Sequence, residues 1–411
     1  GKTTPRIHMN APTVLSILNG SVDDSRGIAE ERTPPWNYRA AWAITKYLKI
    51  PTIAIRPTEL EQPVVKIINN VVVVLLPYHH LDIPLPKMVK SAVAAIQPLE
   101  KNIKHIYDLV KNIKKDKQQI VYYIHEYKNI YNLPFYLDRD SPFILQQHSR
   151  KPFEPKTADI IKIKLLKKLE KSAFYTLSLY EKESLQSLGF QHVYLRPMGV
   201  AIDQIPLVDK HRKYEIREKL GLPTDRTIIT TYVSTPIYKH GELFDVKGSH
   251  LLPHIMRYLS ATRKDALLIV FNIRGDFANY LRKMGAVVHP YVSQDEFFQY
   301  LAASDLYILP ATDLLKYTGI GITVVEAMAM GKPVLSPTLI HLPDLKLIPT
   351  VGIAPPYIKS INELRIFLKK LTEIIIDIDK YKPAEIREVA YRFYSWETFA
   401  NDFKNTLHQI I

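Results

Sequence analysis

The chain has no cysteine. Disulfides, thiolate nucleophiles and cysteine-metal sites are therefore excluded, and the redox compartment is left open. Long apolar runs are missing too: a bilayer-spanning helix takes about 20 apolar residues in a row, and the longest stretch here, Val71 to Pro77, has the length of a strand. A transmembrane anchor is not expected. The residues after Gly1 and Lys2 lack the positive-then-apolar layout of a signal peptide, so cytoplasmic residence is the default expectation. No short repeat and no low-complexity segment interrupts the sequence. The composition is that of a folded protein, since 46% hydrophobic and 23% charged residues argue against disorder. A length of 411 residues, set against roughly 150 per domain, predicts two to three domains. Lys plus Arg number 55 and Asp plus Glu 41, so 55 − 41 = +14. A basic balance of this size implies an anionic partner, and nucleic acid, an acidic membrane surface and a phosphorylated small molecule all qualify. Richness in Ile, Lys, Tyr and Pro without Cys fits a thermophile.

Short apolar runs alternate with longer amphipathic stretches, the pattern of parallel strands joined by helices, and the predicted class is α/β. In the first half the expected strands are Thr13 to Leu18, Thr52 to Ile55, Val71 to Leu76, Ile120 to Ile124, Phe143 to Gln147, Phe174 to Leu179 and His192 to Leu195. Helical patterns cover Met88 to Ile113 and Asp159 to Lys171. A second series has strands Thr227 to Tyr232, Ala266 to Phe271, Ala286 to Val288, Leu306 to Leu309 and Pro333 to Leu335. Its helices are Ser249 to Leu259, Phe277 to Met284, Gln294 to Ala303, Gly321 to Met330 and Ile361 to Ile376. Between the two series, Pro197, Gly199 and Pro206 break the pattern before a charged helix, Lys213 to Leu220, that stops at Gly221. A hinge is expected there. Two doubly wound domains facing across a deep cleft would hold ligand at the carboxyl ends of both sheets.

The stretch Leu306 to Leu335 carries the strongest chemical signal. A strand ends at Pro310, a polar loop follows, and Gly319 and Gly321 open a helix that closes at Gly331. Glycines at a helix start let a ligand reach backbone N–H groups, and the helix dipole adds roughly +0.5 of a charge, so phosphate is favoured. Glu326, two turns on, is placed to accept hydrogen bonds from ribose hydroxyls. An ordinary strand-loop-helix with a capping glycine gives the same spacing.

Thr318-Gly-Ile-Gly-Ile-Thr-Val-Val-Glu326-Ala-Met-Ala-Met-Gly331-Lys-Pro333-Val334 resembles the donor-site signature of family 4 retaining glycosyltransferases, of group 1 type, which have the two-Rossmann-domain GT-B fold. Other segments fall in the family's order. Val246-Lys247-Gly248 is similar to its lysine-glycine element and Pro197-Met-Gly199-Val200 to its linker. Tyr123-Ile-His125-Glu126-Tyr127 resembles its first-domain histidine strand end, and Tyr394-Ser395-Trp396-Glu397 its C-terminal segment. The resemblance covers nearly the whole chain. It implies an N-terminal acceptor-binding domain, 1–203, joined by the segment 391–411, and a C-terminal donor-binding domain, 204–390. There are two departures. Thr318 stands where the family usually has a second glutamate, so the sugar's identity is not carried over. The segment Ser234 to Asp245 is an insertion that holds Lys239 and His240 where the family tends to have an arginine.

The resemblance implies transfer of a hexose-type sugar from a nucleotide-diphosphate donor to an acceptor hydroxyl with retention, needing no metal and no cofactor beyond the nucleotide-sugar substrate. Lys247 corresponds to the residue that holds the donor diphosphate, Glu326 to the ribose clamp and His125 to the histidine that approaches the reacting sugar; these are the expected catalytic residues. Expected donor contacts are Gly20, Lys239, Lys247, Tyr291, Val292, Thr318, Gly319, Ile320, Gly321, Ile322 and Glu326. Trp36, Arg39, His125 and His148 fall on the acceptor side. The loop from Ser21 to Arg39 follows the first strand, where an α/β domain meets its ligand. An inverting enzyme would instead use a carboxylate base, with Asp23, Asp24, Glu30 and Glu31 available. An epimerase or hydrolase of the same fold, or a non-catalytic sugar- or nucleotide-binding module, are the competing readings. The expected acceptor is a glycan, a lipid-linked molecule or a small molecule. Lys162, Lys164, Lys167, Lys168 and Lys171 beside Ile160 and Ile161 allow peripheral contact with an anionic membrane, but fit a core-packed helix with a solvated lysine face better. No nucleic-acid recognition module is present.

Overall fold

The computed structural model describes residues 12–18, 36–58, 62–77, 106–116, 118–126, 138–148 and 151–411. Contacts divide the chain into two compact units, one of residues 1–177, 181–199 and 396–411, the other of 178–180 and 200–395.

The first unit is built on an eight-stranded sheet. Its strands are β1 (Thr13–Leu18), β2 (Thr52–Thr58), β3 (Val64–Ile68), β4 (Val71–Pro77), β5 (Ile120–His125), β6 (Phe143–Gln146), β7 (Ser172–Thr176) and β8 (Val193–Leu195). Their order is β3-β4-β2-β1-β5-β6-β7-β8. All neighbours are parallel except β3 and β4. β1 and β5 are buried along their whole length. That is why they read as unbroken apolar runs, as strands covered on both faces do. From β1 the chain winds outward to β2 and β4 on one side, and from β5 to β6, β7 and β8 on the other. The topological switch point, where ligands bind in doubly wound sheets, therefore lies between β1 and β5.

Two helices place that sheet's core. Helix α1 (Trp36–Leu48) buries Tyr38 and Ala41 against Ala54, Val71 and Val73. The C-terminal helix, Trp396–Ile410, packs against α1 and sets Phe403 edge-on to Tyr123 at 5.5 Å, while Thr406 bonds the Tyr175 hydroxyl at 2.7 Å. Two expectations shift at their boundaries. The strand expected to run to Leu179 stops at Thr176, and a helix, Leu179–Ser187, takes over because the Glu181 carboxylate turns back to accept the Leu177 N–H at 2.9 Å. The lysine-rich helix is Thr157–Leu166, and its lysine face is not wholly solvated: Lys162 is buried 3.3 Å from Asp159. Ile160 and Ile161 are about half exposed.

The second unit has a six-stranded parallel sheet, β13-β12-β9-β14-β15-β16, from β9 (Thr227–Tyr232), β12 (Ala266–Phe271), β13 (Val287–His289), β14 (Leu306–Ile308), β15 (Val334–Leu335) and β16 (Gly352–Ile353). Here the winding reverses between β9 and β14. The stretch Ser234 to Asp245 is a separate hairpin, β10 (Ile237–Lys239) and β11 (Glu242–Phe244), closed by His240 and Gly241 at φ of 53° and 84°. Both turn residues lie in the left-handed region that tight hairpins require.

At the amino ends of this sheet a cluster of cations surrounds one carboxylate. Asp305 takes Lys213 at 2.5 Å and Arg217 at 2.7 Å, while the buried Lys332 ammonium donates to the Ala302 carbonyl at 2.8 Å. Burial, with Lys213 nearby, lowers the Lys332 pKa to about 7. A folded value below the unfolded 10.5 means that the unfolded chain binds the extra proton between these limits, so stability rises with pH from about 7 upward. Below about 7 the penalty of burying the charge is fully present. Lys332→Met is therefore expected to raise the melting temperature by roughly 3–8 °C at pH 6 and by less than about half as much at pH 9, the effect vanishing only toward pH 10.5. Calorimetry at both pH values checks this; an equal effect at both would show that Lys332 is not titrating in the fold.

Candidate functional site

Both switch points gather polar residues at the carboxyl ends of the strands. In the first unit, Ser16 on β1 and His125 at the end of β5 sit side by side, with Ser16 Oγ 3.1 Å from His125 Nε2. The other ring nitrogen, His125 Nδ1, lies 2.8 Å from His148 Nε2. The two imidazoles are nearly parallel, 7° apart with centroids 5.1 Å from each other. Desolvation, then the neighbouring His148, holds His125 well below the usual histidine range, and desolvation also lowers His148. Both rings are therefore neutral near pH 7, and in their shared hydrogen bond one donates and the other accepts. Glu126 locks this arrangement. It stands at φ 58°, and its carboxylate accepts the His148 backbone N–H at 3.0 Å and the Gln147 side-chain amide at 2.5 Å. A non-glycine residue held in that conformation costs of order 1–3 kcal/mol and marks functional sites.

His125 is fully buried, whereas His148, at the end of β6, is only half-buried. The expected histidine is thus the inner member of a pair whose outer member is His148. Arg39 lies half-buried on α1, and Trp36 begins that helix with its side chain outside the described residues. Gly20 and the carboxylates Asp23, Asp24, Glu30 and Glu31 fall outside the described residues.

In the second unit the loops after β9 and β14 carry the expected donor residues. Asp245 organises the first of them, accepting the Ser249 N–H and the Ser234 N–H at 3.3 Å each. Gly248 makes the loop's close turn at φ 89°, and a Cβ there would lie 1.9 Å from the Pro310 carbonyl oxygen, past the end of β14. That contact binds the two loops together and leaves Lys247 beside Tyr232, its Nζ 5.8 Å from the ring centroid. On the second loop Gly319 and Gly321 stand at φ 79° and 88°, and Gly321 is the N-cap of the helix Ile322–Ala329. Glu326 is buried on that helix and accepts the Gln294 side-chain amide at 3.1 Å. Burial raises the Tyr232 phenol, and so do Tyr291 and Glu326, which places these three groups within electrostatic reach of one another.

The other expected donor residues are distributed around this centre. Ile320 is buried, Ile322 is half exposed, Tyr291 is exposed and Val292 packs on the core. The Thr318 hydroxyl donates to the Leu315 carbonyl at 2.8 Å. Lys239 lies on the exposed hairpin, its Nζ 5.6 Å from the Phe244 ring. Ser16, Tyr232, Asp245 and Gln294 were not singled out from sequence. Their signal is positional: Tyr232 ends the strand at the switch point, and Asp245 stands two residues before Lys247. Among the described residues, no group of three or more His, Asp or Glu side chains is arranged to hold a metal ion.

These two sheets, each reversing its winding beside a polar strand-end cluster, define a GT-B protein built from two Rossmann-like units. Residues 237–346 match the family model described as Glycosyl transferases group 1, a span that holds Lys247, the glycine loop and Glu326. The second unit thus carries a group 1 glycosyltransferase segment. The chain is 26% identical over 248 residues to a GDP-mannose-dependent monoacylated alpha-(1-6)-phosphatidylinositol monomannoside mannosyltransferase of Corynebacterium glutamicum, a match covering 57% of this chain and 60% of that protein. It is 29% identical over 155 residues to the putative teichuronic acid biosynthesis glycosyltransferase TuaC of Bacillus subtilis, covering 38% of this chain and 35% of that one. The matched stretches therefore span less than two thirds of these relatives' own length. Among solved structures, Anabaena Alr3699/HepE in complex with UDP superposes with a TM-score of 0.64 at 15% identity, covering 97% of this chain and 100% of that one. Sucrose-phosphate synthase from Thermosynechococcus elongatus does so with 0.63 at 16% identity, covering 97% and 99%.

Proposed function

We propose that the chain is a retaining glycosyltransferase that moves a hexose from a nucleoside-diphosphate sugar to an acceptor hydroxyl. The observation that carries this reading is that one ammonium group and a glycine-lined helix N-terminus follow the two neighbouring strands, β9 and β14, between which the second sheet reverses its winding. Lys247 and the N–H groups at Gly319 to Gly321 offset the charge of the departing diphosphate without a metal ion. Glu326 accepts the ribose hydroxyls, and the acceptor attacks from the face that the leaving group vacates. The acceptor hydroxyl's proton passes to an oxygen of the departing diphosphate, and the neutral pair His125 and His148 serves the acceptor side as an uncharged polar wall. A hexose donor is supported by the mannosyltransferase relative and by the UDP and glucose bound to HepE.

The net charge of +14 favours an anionic or lipid-linked acceptor, taken up in the cytoplasm or at its membrane face. No helix among the described residues is long and apolar enough to cross a membrane.

Glu326→Ala is expected to raise the donor KM about 10- to 100-fold with a smaller change in kcat, because a charge-assisted hydrogen bond is worth about 1.5–3 kcal/mol. Initial-rate kinetics over a range of donor concentrations check it. The reaction itself is tested by incubating nucleoside-diphosphate hexoses with an acceptor panel and reading the product's anomeric protons by NMR. Retention is expected. Inversion would replace this reading with one that uses a carboxylate base, and donor consumption without any transfer product would favour an epimerase or hydrolase.

A further inference from the structure

The lysine-rich helix of the first unit, Thr157–Leu166, is packed the other way round from a core-packed helix with its lysines in water. The stripe it turns inward is Asp159, Lys162 and Leu166, spaced three and four residues apart as one helix face is. That stripe buries an ion pair: Lys162 Nζ lies 3.3 Å from Asp159 Oδ1, and Asp159 Oδ2 accepts the Glu154 N–H at 2.6 Å. With two charged residues holding the inner positions, Ile160 and Ile161 are turned out, 50% and 53% exposed. Lys164 follows them one turn later on the same outer stripe, and Lys167, Lys168 and Lys171 stand exposed past the helix end.

Scattered exposed apolar residues are ordinary. An adjacent pair of β-branched residues is different, because it neither favours the helix nor gains anything from water. Its surroundings say what it meets. From Lys151 to Lys171 seven lysines stand against three acids, a net charge of +4. Two of those acids are already engaged, Asp159 in its buried pair and Glu154 with Lys156 at 2.5 Å. A second copy of the chain is excluded by like charge meeting like across a two-fold axis. The outer stripe has no aromatic ring on which a base could stack, and the segment has no arginine. What remains is a negative surface that accepts short aliphatic side chains without demanding a fitted shape, which is an anionic bilayer. There isoleucines enter the boundary between headgroups and acyl chains, and lysines reach lipid phosphates on their long stems. The helix joins two parallel neighbours, β6 and β7, and so runs back against them. Its first turn, with both isoleucines, therefore lies toward the carboxyl ends of the strands, the side on which His125 and His148 stand.

We propose that this face of the first unit, Ile160 and Ile161 with the lysines that follow them, docks on an anionic lipid surface. The probe is a vesicle of phosphatidylcholine and phosphatidylglycerol in equal parts, set against one of phosphatidylcholine alone, and the readout is co-flotation of the full chain. The expected result is flotation with the anionic vesicles, weakening as salt is raised, and none with the neutral ones. Lys164→Gln/Lys171→Gln removes two cations, each contributing about fivefold to partitioning at such a surface, so vesicle affinity falls by roughly 25-fold. Ile160→Ser/Ile161→Ser keeps every charge and lowers affinity by about tenfold through the apolar area no longer buried. All four side chains are exposed, so both variants keep the melting temperature of the parent. No flotation of the parent, or flotation of either variant equal to the parent's, would overturn the proposal. So would release from the vesicles by an equal charge of oligothymidylate, which would make the lysines a general polyanion site. Flotation is read without donor or turnover, so its failure leaves the transferase reading untouched, and failure of transfer leaves this surface untouched.

Discussion

Lys247→Ala is expected to lower turnover by roughly 10² to 10³ while leaving the fold intact. The ammonium sits over the Tyr232 ring, 5.8 Å from its centroid, and no ion pair with a carboxylate holds it among the described residues. Its removal therefore breaks no ion pair and loses only the contact with the Tyr232 ring. The full effect falls on the step in which the diphosphate leaves, because charge develops there and a group aimed at it acts more strongly on the transition state than on the bound donor. The distinguishing measurement is kcat at saturating donor together with the melting temperature. Near-normal turnover in a folded variant would remove Lys247 from the mechanism, whereas a collapse of both would mean that the residue holds the loop rather than the substrate.

Gly248→Ala is expected to do the opposite, acting on the fold first. A Cβ at this position would meet the Pro310 carbonyl oxygen at 1.9 Å, and the φ of 89° is itself unfavourable for any residue but glycine. Neither strain is relieved by a rotamer change, since the obstacle is backbone. The loops after β9 and β14 must separate, at a cost of about 2–4 kcal/mol, which corresponds to a melting temperature lower by roughly 5–15 °C. Donor binding should weaken along with it, because Lys247 and the Gly319 to Gly321 turn lose their common support. Calorimetry with and without nucleoside diphosphate checks both parts. A variant with unchanged stability would show that the two loops do not touch through Gly248.

The contrast between these positions also shows how far the sequence could be read. Strands such as Thr13–Leu18, Thr227–Tyr232 and Ala266–Phe271 appear in the structure with the limits their apolar runs suggest, because strands buried on both faces leave no polar alternation to blur their ends. The helix Ile361–Ile376 is equally legible, since Ser360 and Glu363 form a capping box that fixes its start. Lys247, Gly319, Gly321 and Glu326 stand out by motif order, and the fold sets them on the segments that follow the neighbouring strands β9 and β14, where the winding reverses. What escaped reading was set by tertiary contact. The hairpin of β10 and β11 is too short for a periodic signal, so the sequence shows it only as an insertion. The strand expected to reach Leu179 was cut short by the Glu181 carboxylate, an acid that only the folded chain brings back onto the Leu177 N–H. Ser16 and Tyr232 sit inside apolar runs, where nothing local distinguishes a site residue from core. The pairing of His125 with His148 depends on the parallel register that sets His125 opposite Gln146, which no single-strand pattern contains.

The most direct test of the central claim is a thermal-shift panel of nucleoside diphosphates and nucleotide sugars on the parent protein, each with magnesium and with a chelator in its place. A ligand that binds only the folded chain raises the melting temperature by mass action. The expected result is a shift with one nucleotide, of equal size with and without magnesium and reduced in Glu326→Ala. No shift with any nucleotide, from a sample that melts cooperatively, would contradict a donor site at the switch point of the second sheet.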